Sequence, residues 1–338
     1  MNKKRVLAML LAGAMALSMT ACGGNSASTD DSSNDGGASA SGGSYKVSVI
    51  LKTLAAEYWQ YVKSGAEDYA SEHSDKVTVE VKGPSSETAF DEMQNMIETD
   101  LSSGSYDGVI ISPLQSDTAA QLVSGTKLPI VAIDTNFEAP EVKSFVGTGN
   151  EAAAKKGGEA AVEAAKAAGW TDIKCIEIAG VQGDQTNTAR MNGYKAGVEE
   201  AGGTFLSDEV QYADATADRA TTAMEAIMQT HPEGIAIICA NNDDMAMAAA
   251  RAAQGHDAYK NTIFLGFNGD RAACEAILAG QMTMSVAQMA YEMGYKAVET
   301  MVQVLDGETV DEFVDSGSDV VTPDNAQERL DTLKTQLH

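Results

Sequence analysis

The sequence predicts an α/β protein that folds into two doubly wound lobes, each built on a parallel sheet. Short apolar runs alternate with amphipathic stretches about nine times along the chain, which is typical of strands joined by helices. Runs of Val and Ile of this length suit strands buried on both faces of a parallel sheet. One open sheet usually holds about four to six strands, so we expect two lobes with a break near Gly147–Asn150.

The predicted elements follow one another in a regular order. Strands are expected at the apolar runs Lys46–Lys52, Val77–Lys82, Gly108–Ser112, Pro129–Asp134, Lys174–Ala179, Thr204–Val210, Ile235–Ala240, Thr262–Phe267 and Thr283–Ala287. Helices are expected at amphipathic segments between them, for example Tyr58–Glu72, Asp91–Leu101, Asn187–Glu200 and Asp243–Ala253.

The N-terminal segment predicts export and a lipid anchor. Residues 1–21 form a signal peptide, with a basic start at Lys3–Arg5 and an apolar run at Val6–Met19. Cys22 follows the cleavage point, so the segment resembles a bacterial lipoprotein signal, in which this thiol takes a diacylglyceryl group. Two acyl chains are enough for stable anchoring. Residues 22–45 are almost all small or polar and predict a flexible linker.

The composition excludes several classes of partner. The chain has 23 Lys and Arg against 49 Asp and Glu, a net charge of −26. Loss of Lys3, Lys4 and Arg5 with the signal peptide makes the mature charge about −29. So acidic a protein repels nucleic acid and anionic lipid. No later stretch approaches about eighteen consecutive apolar residues, so the lipid is the predicted membrane attachment.

Cysteine, histidine and glycine patterns predict no disulfide, no metal and no cofactor. The cysteines after Cys22 are far apart and odd in number, and we interpret them as small buried side chains: Cys175, Cys239 and Cys274. The four histidines lack the spacing of metal ligands. The loop Gly180–Asp184 has neither a GxGxxG nor a P-loop pattern.

Polar side chains follow the predicted strands, where open α/β sheets bind their ligands. Arg190, in the next helix after the Gly180–Asp184 loop, adds a planar fork that suits bidentate hydrogen bonds, although an exposed helix arginine is the default interpretation. No nucleophile stands beside a base, so binding rather than catalysis is predicted. The strand-end candidates are Lys52, Ser112, Asp134, Thr148, Asn242, Asn268 and Gln288.

Several of the candidates also have a purely structural interpretation. Asp134, Asn242 and Asn268 stand where such residues commonly cap helices or form turns. Tyr58 and Trp59 open the first predicted helix, where they either pack on the core or form a stacking platform for the apolar C–H face of a sugar. A lysine at the end of an apolar strand, as at position 52, needs a polar partner or a solvent-filled cleft, which favours a site.

Together, ordered segments make the chain resemble the solute-binding proteins of bacterial sugar uptake transporters, the ribose-, arabinose- and galactose-binding type. The resemblance covers residues 46 to about 335 and depends on order and spacing rather than on any one motif. The segments are Ser48–Leu51, Tyr58-Trp59, Gly65-Ala66, Ile111–Pro113, Ile133-Asp134, Thr148–Asn150, Arg190, Gly193-Tyr194, Asn242–Ala246, Gly266–Gly269 and Ala287-Gln288.

The resemblance implies a periplasmic binding protein-like I fold, in which a three-stranded hinge joins the lobes. It implies a first lobe of residues 46–148 plus 289–315 and a second lobe of residues 149–288 plus 316–338. It further implies that Tyr58 and Trp59 flank a sugar ring and that Lys52 meets its ring oxygen or anomeric side. The implied partners of the sugar hydroxyls are Asp134, Arg190, Asn242, Asn268 and Gln288, with Ser112 and Thr148 as weaker candidates.

The chain departs from the ribose-binding pattern at several of these positions. Ala56 stands where Asn is usual, Thr135 where Arg is usual, Ala217 where an aromatic residue is usual, and Asn268 where Asp is usual. These differences argue against ribose and favour another pentose or hexose, or a polyol.

The predicted function is capture of a monosaccharide by a monomer and its delivery to an ABC permease. The anchor at Cys22 implies the outer face of the cell membrane, in an envelope of the Gram-positive type. Alternatives left open are a polyol, nucleoside or autoinducer-type solute, or a sugar sensor for a chemoreceptor or histidine kinase. A regulator of the lactose-repressor type is disfavoured, because the signal and linker occupy the place of its DNA-binding headpiece.

Overall fold

The computed structural model describes residues 44–337, which form two α/β lobes. The predicted signal peptide, the predicted lipidation site Cys22 and the predicted linker as far as residue 43 lie outside the described residues. The first strand begins at Tyr45, inside the segment predicted as linker. Within residues 44–337, no helix has both the length and the apolar character needed to cross a membrane.

The first lobe contains a six-stranded sheet in which all neighbouring strands are parallel. Its strands are β1 (Tyr45–Ile50), β2 (Val77–Lys82), β3 (Gly108–Ile111), β4 (Ile130–Ile133), β5 (Val142–Gly147) and β12 (Phe313–Asp315). Their order across the sheet is β12-β5-β4-β3-β1-β2. The helices of this lobe are α1 (Glu57–Glu72), α2 (Phe90–Ser103), α3 (Ser116–Val123) and α9 (Ala290–Leu305).

The second lobe repeats this plan. Its strands are β6 (Lys174–Ala179), β7 (Thr204–Phe205), β8 (Gln211–Tyr212), β9 (Ile237–Ala240), β10 (Ile263–Asn268), β11 (Met284–Gln288) and β13 (Ser318–Val321). The order is β13-β11-β10-β9-β6-β7, with β8 also on β6, and only β13 is antiparallel to its neighbour. The helices are α4 (Asn150–Ala167), α5 (Gln185–Glu200), α6 (Ala217–Thr230), α7 (Asp243–Ala253), α8 (Arg271–Leu278) and α10 (Ala326–Gln336), with short 3-10 helices at Ser207–Glu209 and Asp257–Tyr259.

Three short segments carry the chain from one sheet to the other. The chain crosses after β5 at residues 148–149, after β11 at Met289, and between β12 and β13 at residues 316–317. The hydroxyl oxygens of Thr148 and Ser316, on two of these segments, lie 3.3 Å apart. The predicted class, two α/β lobes with parallel sheets, is confirmed.

Some strands differ from the sequence-based expectation. The predicted strand Thr204–Val210 is divided into β7 and β8 by a 3-10 helix. Strands β5, β12 and β13 were not predicted. They lie at or next to the edges of their sheets and carry exposed or half-buried residues, so they lack the continuous apolar run of a central strand.

Glycines allow two pairs of neighbouring helices to pack unusually close to each other. Gly65 of α1 and Gly294 of α9 face each other's helix, and a Cβ at either would overlap the carbonyl oxygen of Tyr291 or Val62, respectively. Gly193 and Gly197 of α5 meet α4 in the same way. This close packing holds the starts of α1 and α5 in place relative to the sheets.

Candidate ligand-binding cleft

A cleft of about 340 Å³ lies between the carboxyl ends of the two sheets. Residues of both lobes line it, because in each lobe the loops after parallel strands converge at the same sheet edge. Its lining includes eight of the predicted site residues: Lys52, Tyr58, Trp59, Asp134, Arg190, Asn242, Asn268 and Gln288.

Two predicted candidates do not line this cleft. Ser112 is fully buried at the end of β3, and its hydroxyl has no hydrogen-bond partner among residues 44–337. Thr148 lies on the first crossing segment, where it meets Ser316. A strand-end position is therefore not sufficient, because the side chain must also point toward the opposite lobe.

Lys52 forms a buried ion pair across the cleft. Its Nζ lies 2.5 Å from Asp184 Oδ2, and both side chains are 7% exposed. Asp184 is also the N-cap of α5, where its other oxygen accepts a hydrogen bond from the Asn187 amide. Burial by itself lowers the pKa of Lys52, but the carboxylates of Asp184 and Asp134 outweigh it and raise the pKa. Lys52 thus remains a cation that joins the two lobes.

The aromatic pair at the start of α1 is tied to acidic residues. The Tyr58 hydroxyl donates to Asp134 Oδ1 at 2.7 Å, and the Trp59 indole N–H donates to Glu87 Oε1 at 2.9 Å. The two rings pack edge to face, with centroids 4.9 Å apart. Thr135 donates to the other oxygen of Asp134. These bonds fix the ring positions before any ligand is present.

Arg190 is held on three sides. Its Nε donates to Asn150 Oδ1 at 2.9 Å, its Nη1 donates to the main-chain oxygen of Asn241 at 2.7 Å, and its guanidinium lies 3.8 Å from the Phe267 ring centroid. Guanidinium carries five N–H donors. No described residue accepts from Nη2, so part of the fork is free for a ligand.

Asn268 and Gln288 form a planar pair on neighbouring strands. Gln288 Nε2 donates to Asn268 Oδ1 at 3.0 Å. Gln288 is 1% exposed, and its Oε1 is buried without a partner in the described part of the chain. A buried acceptor left unpaired costs free energy, about 1–3 kcal/mol, so this oxygen is suited to accept from a ligand hydroxyl.

Asn242 fulfils the structural role considered from the sequence. Its side-chain oxygen accepts from the Met245 amide and caps α7, and its Nδ2 donates to the Ala215 oxygen at 3.2 Å. One N–H of its amide remains for the cleft. The Asn242 side chain therefore both caps α7 and lines the cleft.

The backbone is unusual at this cleft. The non-glycine residues of segment 44–337 with positive φ are Asp134 (63°), Asp214 (46°), Ala215 (58°) and Asn268 (135°). All except Asp214 line the cleft. Such conformations cost about 1–3 kcal/mol and cluster at functional sites, where surrounding bonds maintain them.

The sequence analysis missed several cleft residues. Glu87 lies in the loop after β2, and the strand-end rule identifies it once that rule is applied to β2 as well. Asp184 and Asn187 lie at the start of α5, where an N-cap pattern was a usable signal. Asn241, Thr186 and Asp270 also line the cleft, each directly beside a predicted element.

Acidic side chains outnumber basic ones in the cleft. Six carboxylate side chains line it against the cations Lys52 and Arg190: Glu57, Glu87, Asp134, Asp184, Asp244 and Asp270. Burial raises the pKa of Glu87, although the Lys52 ammonium and the Trp59 N–H oppose it. An anionic solute would meet repulsion here, whereas hydroxyl groups find both donors and acceptors. No cluster of His, Cys, Asp and Glu within residues 44–337 has the arrangement of a metal site.

Two lobes with a polar cleft between them are the architecture of a protein that binds a solute in that cleft. A family model described as "Periplasmic binding protein domain" matches residues 47–309. The chain belongs to this family of periplasmic binding proteins. Because the family consists of binding proteins for transport, the prediction that the chain is not an enzyme is confirmed.

Curated relatives have names that refer to sugars. The chain is 30% identical over 265 residues to the D-allose-binding periplasmic protein of Escherichia coli, covering 75% of this chain and 83% of the relative. It is 26% identical over 274 residues to the ribose import binding protein RbsB of Bacillus subtilis, covering 80% and 85%. The resemblance to sugar-binding proteins is confirmed.

A solved structure shares the fold. The carbohydrate transporter solute-binding protein of Agrobacterium radiobacter, in complex with D-arabinose, superimposes with a TM-score of 0.77 at 23% identity. The superposition covers 87% of this chain and 99% of that protein.

Proposed function

We propose that the protein captures a neutral monosaccharide, a pentose or hexose, in this cleft and delivers it to an ABC permease. The observation that carries the proposal is the set of unused hydrogen-bonding groups in a buried cleft: Gln288 Oε1 and Arg190 Nη2. A sugar hydroxyl both donates and accepts, so it satisfies such a mixed set. The names of the curated relatives support the same class of ligand.

Ligand capture follows from the division of the cleft between lobes. A sugar that bonds both Asp134 on one side and Arg190 on the other binds the closed form better, and so shifts the population toward closure. Hinge closure around a ligand is established for periplasmic binding proteins as a class. Direct contacts between the lobes favour the same form: the pair Lys52–Asp184 and the hydroxyl contact of Thr135 with Thr186 at 2.8 Å.

The identity of the sugar depends on two small residues. Ala56 and Ala217, which replace the larger residues of the ribose-binding pattern, both line the cleft. A sugar that depends on an aromatic ring at position 217 loses that contact, so we propose a pentose or hexose other than ribose. A deoxy or epimeric analogue would leave a buried polar group unpaired, which gives stereospecificity.

A thermal-shift series tests the proposal. D-allose, D-ribose and D-arabinose are compared with D-glucose, with its anionic counterpart D-glucuronate, and with myo-inositol and a nucleoside. At a concentration about 100-fold above Kd, a neutral sugar is expected to raise Tm by about 5 °C, whereas D-glucuronate has no effect. A shift with D-glucuronate alone would contradict the charge argument. A shift only with myo-inositol or a nucleoside would show that the ligand belongs to that class and is not a monosaccharide.

We further propose that a monomer anchored through Cys22 works at the outer face of the cell membrane, in an envelope of the Gram-positive type. Cys22→Ala is expected to abolish incorporation of a labelled fatty acid and to leave unprocessed precursor, because the acylated thiol is lost. The matched control Cys274→Ala, whose thiol is buried in the second lobe, keeps the label. Normal labelling of Cys22→Ala would refute the anchor.

A further inference from the structure

A buried carboxylate accepts hydrogen bonds from the loop after β10, residues 269–270. Asp243, fully buried at the start of α7, accepts through Oδ2 from the amides of Gly269 at 2.7 Å and Asp270 at 3.2 Å. Its Oδ1 accepts from the Ser285 hydroxyl at 2.6 Å. Asp243 therefore fixes both N–H groups that follow Asn268, and that of Gly269 also donates to the Ser285 hydroxyl at 3.0 Å.

Arg329 of the C-terminal helix α10 holds the carbonyl side of the same loop. Its Nε donates to the Gly269 oxygen at 3.0 Å, and its Nη2 donates to the Gln288 oxygen at 2.6 Å. Its Nη1 lies 3.2 Å from the sulfur of Met289, the residue at which the chain crosses between the lobes. One guanidinium thus joins the ends of β10 and β11 to the second crossing segment.

This arginine forms no ion pair within residues 44–337. Burial lowers its pKa from the ordinary value, whereas Asp243 and Asp270 nearby act in the opposite direction. Guanidinium remains protonated in proteins and presents a rigid fork, so it can satisfy three acceptors at fixed angles. A lysine ammonium on a flexible stem cannot reproduce that geometry.

Asn268 has a backbone conformation that its surroundings must maintain. Its φ of 135° is a conformation that L-residues rarely adopt, and it persists only where neighbouring bonds impose it. Asp243 and Arg329 supply those bonds to the next peptide unit, and Arg329 also fixes the carbonyl group of Gln288, the side-chain partner of Asn268. The amides of Asn268 and Gln288 therefore lie on backbone that Arg329 of α10 holds together with Asp243.

We propose that Arg329 is a positioning residue for the ligand site: it holds the peptides at Gly269 and Gln288 so that the amides of Asn268 and Gln288 face the cleft. This inference rests on the proposed function. Arg329 lies beyond residues 47–309, the part of the chain matched by the family model.

A double-mutant cycle tests this role. D-allose, D-ribose and D-arabinose are titrated calorimetrically, well below Tm, into wild type, Arg329→Met, Arg329→Lys, Asn268→Ala and the double variant with Asn268→Ala and Arg329→Met. Arg329→Met is expected to weaken binding at least tenfold, and Arg329→Lys to recover part of the loss. In the Asn268→Ala background the loss caused by the same change should be at least threefold smaller, because one of the two amides that Arg329 positions is absent. The matched control is Arg251→Met, an exposed arginine at the end of α7.

Amide hydrogen exchange provides a readout that needs no ligand. The amides of Gly269 and Asp270 are expected to exchange at least tenfold faster in Arg329→Met, while those of the central strand β9 keep their rates. Equal losses of affinity in both backgrounds, or unchanged exchange at Gly269, would overturn the proposal. If wild type binds none of the three sugars, the proposed function fails for them, and the exchange result alone decides whether Arg329 holds the loop.

Discussion

Arg190→Lys is expected to weaken ligand binding at least a hundredfold. The guanidinium donates to Asn150 and to the Asn241 oxygen and still has Nη2 free for the cleft. A lysine keeps the charge but cannot satisfy both protein acceptors and a ligand at once. Each hydrogen bond of a charged donor contributes about 1.5–3 kcal/mol. The loss of two such bonds to the ligand therefore corresponds to a hundredfold or more in Kd.

Calorimetric titration with the sugar that gives the largest thermal shift measures this effect. The unliganded protein also loses some stability, because Asn150 Oδ1 and the Asn241 oxygen lose their donor. Titrations are therefore made well below the Tm of the variant. Arg251→Lys, an exposed arginine of α7, is the matched control and should bind as wild type. An affinity of Arg190→Lys within threefold of wild type would remove Arg190 from the site.

Glu177→Gln is expected to stabilise the protein at neutral pH and to flatten its pH dependence. Glu177 lies on β6 beside Cys239 of β9, is fully buried, and neither of its carboxyl oxygens has a partner among the described residues. Burial raises its pKa to about 8, although Asn241 and Arg190 nearby act in the opposite direction. The folded protein therefore keeps this proton at pH 7, whereas the unfolded chain, with a pKa near 4.3, releases it.

The sign of the effect follows from proton linkage. Between about pH 4.5 and 8 the folded state binds a proton that the unfolded state lacks, so stability falls as the pH rises. The free energy of unfolding of Glu177→Gln minus that of wild type should grow by about 1.4 kcal/mol per pH unit, to about 3.5 kcal/mol at pH 7. Burial raises the pKa of Asp243 to about 6. This gives the stability of both proteins a further pH dependence of the same sign, which cancels in the difference between them.

Urea denaturation at pH 5, 6, 7 and 8 measures this difference. Glu163→Gln, an exposed glutamate of α4, is the matched control and should run parallel to wild type. Parallel curves for Glu177→Gln and wild type would show that Glu177 is ionised in the folded protein. A variant with lower stability at every pH would instead indicate that the amide N–H groups cost more than the buried acid.

The sequence was sufficient for the central strands of both sheets and for the edge at which the cleft lies. Continuous apolar runs identify central parallel strands, and the ends of such strands converge, so Lys52, Asp134 and Gln288 were found from position alone. The pairing of Lys52 with Asp184 was out of reach, because it joins residues 132 apart across two lobes. The edge strands β12 and β13 were missed because nearly all of their residues are exposed or half-buried.

The roles of Glu177 and Arg329 could not be predicted from the sequence pattern. Glu177 left a visible signal, an acid in the middle of the apolar run Lys174–Ala179, but only the structure shows that it lacks a partner. Arg329 left no signal, since an arginine in a polar helix is normally solvated. Its role depends on three acceptors from β10, β11 and a crossing segment, and their convergence is a property of the folded chain.

The first lobe is completed only by residues near the end of the chain. Helix α9 covers β3, β4 and β5 and packs on α1 through Gly65 and Gly294, yet it follows β11 in the sequence. During synthesis the first sheet therefore stays partly uncovered until nearly all of the second lobe has been made. Contacts so distant along the chain form slowly. Late folding keeps the chain unfolded for longer, and an unfolded chain is the form that can be threaded through a narrow export pore.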